Sequence, residues 1–192
     1  MFEDEKKAPE EMGEEEQEFS LKKEIISWIQ VIAAAVVIAL VLNNFIIANS
    51  RVPTGSMENT IMSHSRVIGS RLSYLAGNPD RGDVVIFRFP DDESVYYVKR
   101  VIGLPGETVE VVDGKVYING SETSLDEPYL PEPMEGSYGP YEVPEGCYFM
   151  MGDNRNNSLD ARFWDNTFVK KEKIVAKVLF CYYPFSKVGI IR

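Results

Sequence analysis

From Ile25 to Ser50 the chain carries no charged side chain, and Val31–Leu42 is apolar without a break. As a helix, Ile25–Ala48 would be roughly 36 Å long at about 1.5 Å per residue, enough to cross the hydrocarbon of a bilayer. Trp28 lies near one end, where aromatic rings favour the interface, and Asn43 and Asn44 lie toward the other. The competing reading is a cleaved secretory peptide, with Ala48 and Ser50 as small residues at the cleavage point. A long acidic segment precedes the run instead of a short basic one, which favours a retained anchor over residues 22–49. Lys22 and Lys23 flank its start and Arg51 alone closely flanks its end. That slight bias favours a cytoplasmic N-terminus, with the rest of the chain on the extracytoplasmic face of the cell membrane.

The segment before the anchor, residues 1–21, holds nine acidic positions (Glu3, Asp4, Glu5, Glu10, Glu11, Glu14, Glu15, Glu16 and Glu18) among few apolar ones. It cannot bury enough surface to offset its ordering entropy and reads as a disordered tail, with a surface helix as the competitor. Net charge is −10, which argues against nucleic acid as a partner. Two cysteines, Cys147 and Cys181, and one histidine do not make a zinc site; the cysteines are either a single disulfide or two buried thiols.

Past Arg51 the pattern is β. Ser65–Ser70, Asp83–Phe89, Val95–Gly103, Thr108–Val112 and Lys115–Asn119 are runs of β-branched and aromatic residues separated by turn formers. Asp113-Gly114 is a two-residue hairpin signal. Ser121–Pro144 reads as an irregular excursion, followed by returning strands at Gly146–Met151 and Ile174–Tyr183. The expected fold is a mainly-β domain, residues 50–192, tethered by one N-terminal transmembrane helix.

Three stretches carry candidate chemistry. In Arg51–Ile61, Pro53 extends the residue before it and Gly55 permits a sharp reversal, so Ser56 would present its hydroxyl and N–H together. An ordinary turn is the plain alternative. Lys99 lies inside the apolar strand Val95–Gly103, with Val101 on its face and Arg100 opposite. An amine in apolar surroundings loses its proton more readily and can take one from a serine, although a strand lysine can also extend to solvent. The polar run Met151–Arg162 offers Ser158 and a local Asp160–Arg162 ion pair; Arg155 and Ser158 fall where a calcium loop needs an oxygen ligand and a glycine. His64 could pair with Ser56, but no orienting carboxylate stands beside it, so it reads as exposed or structurally bonded. Arg81-Gly82-Asp83 opens a strand and reads as chance.

Taken together, the anchor, Pro53–Met57, Arg81–Phe87, Lys99–Gly106 and Gly152–Arg162 resemble the bacterial type I signal peptidases. The resemblance implies a signal-peptidase/repressor-peptidase-like β-domain and a serine endopeptidase cutting signal peptides from exported preproteins after small residues, in an A-x-A-like pattern. It implies Ser56 as nucleophile, Lys99 as general base, and Ser158 orienting the amine. Thr54 and the Ser56 N–H would form the oxyanion hole, with Asp160 and Arg162 as supports. Val52, Met57, Ile61 and Val98 would line shallow pockets, and no metal or cofactor is required. Asn156 stands where many relatives have aspartate, and Ala161 where many have serine. The short excursion replaces the large second β-domain of some relatives, as in a compact Gram-positive-like form. Two other readings remain at this level: a self-cleaving repressor-type peptidase, which would carry a DNA-binding module in place of the tail and anchor, and a tethered β-domain that only binds a partner.

Overall fold

The structure, a computed structural model, describes residues 9–75 and 77–191, with side chains from Leu21 onward. Helix α1, Pro9–Val41, passes through a π-helical turn, Leu42–Ile46, into the first strand. Leu21–Ile46 is long and apolar enough to cross a membrane, and none of its most apolar window is buried by protein. Two readings are corrected here. From Pro9 the acidic segment is helical where disorder was expected; Glu, Gln and Lys favour helix, and an already nucleated helix extends at little cost. Met1–Ala8 lies outside the described residues. The anchor, read as 22–49 with helix to Ala48, gives way to strand at Ile47.

Eleven strands follow: β1 (Ile47–Val52), β2 (Ser65–Ser70), β3 (Val84–Phe89), β4 (Asp92–Gly103), β5 (Thr108–Val112), β6 (Lys115–Ile118), β7 (Tyr138–Glu142), β8 (Cys147–Met151), β9 (Val169–Lys170), β10 (Ile174–Tyr183) and β11 (Gly189–Ile190). The larger sheet runs β1-β2-β10-β3-β4-β8-β9, with β11 on β10; the smaller runs β6-β5-β7. All pairings are antiparallel. The mainly-β fold with one N-terminal apolar helix is therefore as the sequence implies. β7 lies within the stretch read as irregular. Its Pro140 sits on an edge strand, where a missing N–H is tolerated.

Central strand β3 buries both faces. Val85 and Phe87 join one core with Val101, Phe149, Met151 and Trp164. Val84 and Ile86 join a second with Val52, Met57, Ile61, Val67 and Val98. Strand alternation thus puts Val98 on one face of β4 and Val101 on the other, and Lys99 shares the side of Val101 and Tyr97. Cys147 and Cys181 are free thiols.

The two sheets meet closely at Gly103. A Cβ there would lie 2.5 Å from Val109 Cγ2 and 2.9 Å from both Phe149 Cβ and Val143 Cγ2. Gly103→Ala is expected to destabilise the protein by about 1–3 kcal/mol through overpacking, read as a lower urea midpoint in detergent.

Candidate active site

Ser56 follows β1 on a turn closed by the Glu58 N–H donating to the Gly55 carbonyl (3.1 Å) and the Ile61 N–H donating to that of Met57 (2.8 Å). The turn is gripped from outside by Asn154. Its backbone N–H donates to the Ser56 carbonyl (3.1 Å) and its side-chain amide to the Gly55 carbonyl (3.0 Å). Both turn carbonyls are thereby fixed, and the Ser56 N–H makes no hydrogen bond among the described residues. The Thr54 and Ser56 hydroxyls are 3.4 Å apart.

Ser56 and Lys99 line the same cleft, of about 290 Å³. Val52 and Val98 form part of its wall, together with Pro53, Tyr96, Asn157 and Leu159. Met57 and Ile61, read as pocket residues, are fully buried in the core beneath Val52 and Val98 and do not line the cleft. Sequence reasoning missed Tyr96 and Leu159 at this wall, since exposed apolar side chains on a strand and a loop carry no local pattern.

Lys99 is only 3% exposed, and its Nζ lies 5.7 Å from the centroid of the Tyr97 ring. Burial pushes the amine down to about 8, against the opposing pull of Asp160 and Asp153; Arg162 adds to the depression. No hydrogen bond joins Ser56 Oγ to Lys99 Nζ among the described residues.

The polar loop after β8 is held by three buried ion pairs. The Arg162 guanidinium meets Asp160 through two hydrogen bonds, 2.8 and 3.0 Å, as their local spacing suggested. The other two pairs are long-range and were invisible in sequence. Arg100 binds Asp153 in fork fashion at 2.8 and 2.7 Å, and Arg155 reaches Glu127 at 2.5 and 3.1 Å. Asp160 also accepts from the Gly152 N–H (3.0 Å), and Arg155 Nε donates to the Gly152 carbonyl (2.9 Å). Gly152 is consequently pinned from both sides.

Ser158 Oγ is buried without a hydrogen-bond partner among the described residues. A Cβ on Gly152 would collide with that hydroxyl and with the Ser56 carbonyl, and would come within 2.7 Å of Ser158 Cβ. Only a glycine lets the Ser158 loop and the Ser56 turn come this close. Asn156 donates to Glu132 (2.9 Å) and the Pro133 carbonyl (3.1 Å) and accepts from the Glu135 N–H (2.9 Å), a combination an ionised aspartate could not supply. Ala161 is fully buried. His64 is exposed on the turn before β2 and does not line the cleft.

The family model described as "Signal peptidase, peptidase S26" matches residues 25–183. The chain belongs to this signal peptidase family. It is 41% identical over 179 residues to signal peptidase I S of Bacillus subtilis (strain 168), covering 88% of this chain and 94% of that protein. It is 36% identical over 184 residues to signal peptidase I of Bacillus licheniformis, covering 91% and 97%. A crystal structure of a signal peptidase I from Enterococcus faecalis V583 aligns at 36% identity over 53% of this chain and 97% of that one, with a TM-score of 0.45. The chain is accordingly a serine endopeptidase that removes signal peptides from preproteins, and it is a single-pass membrane protein.

Because Gly152 sets the distance between two polar groups of the site, Gly152→Ala is expected to lower preprotein cleavage by about 100-fold, the scale of a 1 Å misplacement, in a timed cleavage assay in detergent.

Proposed function

We propose that Ser56 is the nucleophile and Lys99 its general base. The observation that carries this reading is a buried lysine lining the same cleft as Ser56, with its proton affinity lowered toward neutrality. Neutral Lys99 takes the Ser56 hydroxyl proton as Oγ attacks the scissile carbonyl carbon. The Ser56 N–H and the Thr54 hydroxyl hold the resulting oxyanion, and loss of one such donor costs about 2.7–4 kcal/mol in comparable sites. Protonated Lys99 gives its proton to the departing amine. Water, deprotonated by the same amine, then splits the acyl-enzyme. Ser158 orients the Lys99 amine. Asp160 and Arg162 keep the Ser158 loop in place.

The substrate lies along β4 as an added strand. Among the described residues β8 pairs with β4 only from Arg100 to Gly103, so Tyr96–Lys99, paired with β3 on one side, has its other side open. The small volume left between Val52 and Val98 favours alanine beside the cut bond, as in A-x-A-like signals, with Met57 and Ile61 setting its depth from below. The tail is cytoplasmic, the helix up to Ile46 is the anchor, and the β-domain works on the extracytoplasmic face of the cell membrane.

Ser56→Ala and Lys99→Ala are each expected to abolish processing of a preprotein in detergent, with His64→Ala near wild-type; an active Lys99→Ala enzyme would overturn the dyad. Since the amine works only when neutral, kcat/KM should fall about tenfold per pH unit below about 8 and level off above it. That limb must move in Lys99→His, and its persistence unchanged would refute the assignment. Replacing alanine before the cut bond by leucine should reduce cleavage by more than about 100-fold, because a small pocket rejects bulk by overlap.

A further inference from the structure

The excursion between β6 and β7 holds two residues with no part in the chemistry above, and both grip arginines of the site. Glu127 is the buried partner of Arg155, with side chains 6% and 0% exposed. Tyr129 donates its hydroxyl to Glu127 (2.8 Å) and lies under the Arg100 guanidinium, 3.9 Å from ring centroid to Cζ. The two arginines lead to the same short segment. Arg155 holds the Gly152 carbonyl, and its own carbonyl accepts from Arg162 Nη2 (2.6 Å). Arg100 holds Asp153. Between these anchors stands Asn154, which grips the Ser56 turn.

The geometry points to Glu127 and Tyr129 as a positioning clasp: through Arg155 and Arg100 they set the Gly152–Asp153 backbone against which Ser158 is placed. A carboxylate that fixes a guanidinium in fork geometry restricts both its position and its plane, which a neutral acceptor does less well. The aromatic face beneath Arg100 adds a second constraint from the same excursion. The excursion thereby acts on turnover without touching substrate. This inference rests on the reading of Ser158 as the group that orients Lys99.

The test uses the full-length protein in detergent and a preprotein substrate, with kcat and KM measured separately. Glu127→Gln keeps the shape and removes the charge. It is expected to lower kcat about tenfold with KM within about twofold, the scale of one lost charge-assisted hydrogen bond. In a Ser158→Ala background the same substitution should change kcat by about twofold or less, since a group acting through Ser158 has nothing left to position. Undiminished additivity in that background, or a folded Glu127→Gln enzyme with wild-type kcat, overturns the clasp. If Ser158→Ala alone leaves kcat intact, the orienting role of Ser158 itself falls. Tyr129→Phe retains the ring on Arg100 and loses only the bond to Glu127. It decides the matter should Glu127→Gln not fold, by a drop in kcat of about threefold that disappears with Ser158→Ala. An unchanged kcat in Tyr129→Phe would then overturn the proposal.

Discussion

A primary amine kept from water with no carboxylate in contact is the constraint around which this site is built. Lys99 makes none of the described ion pairs, although Asp153 and Asp160 are close enough to act on it through space. Each of those carboxylates is instead occupied by an arginine, Arg100 and Arg162. Were either acid released to face the amine, it would favour the ammonium and undo what burial achieves. The arginines therefore do two jobs: they hold the loop, and they engage both carboxylates, whose pull on the Lys99 proton is outweighed by burial.

Such an arrangement is rigid because it is costly to break. Removing one member of a buried ion pair leaves the other charge without compensation, at about 3–5 kcal/mol. Three pairs converge on Gly152–Arg162, which also carries Asn154 against the Ser56 turn and the buried Ser158 hydroxyl. A loop supported in this way can keep an unsatisfied hydroxyl buried, which an ordinary surface loop could not.

What was legible in sequence follows the range of each interaction. The limits of β2, β5 and β10 could be read directly, because β-branched runs bounded by turn residues report local preference. β1 was hidden because Ile47 and Ala48 continue the uncharged character of the helix, and the helix ends without a glycine or proline. Gly139 and Pro140 disguised β7 in the same way. At the site, Ser56, Lys99 and the Asp160–Arg162 pair are candidates read over a few residues, and it was the family resemblance, not local pattern, that joined them. The partners of Arg100 and Arg155 lie 53 and 28 positions away, and nothing local names them. Met57 and Ile61 belong to the right neighbourhood, but sequence could not tell a wall from the floor beneath it.

The half-paired stretch of β4 bears on when this protein can work during export. If the substrate adds to β4 as proposed, the main-chain groups that β8 leaves open there among the described residues call for a segment that is itself extended. A passenger whose leading segment has already been tucked into its own tertiary structure has no such stretch to offer. On that reading the cut belongs to the time when the leading segment is still open, ahead of any compaction around it.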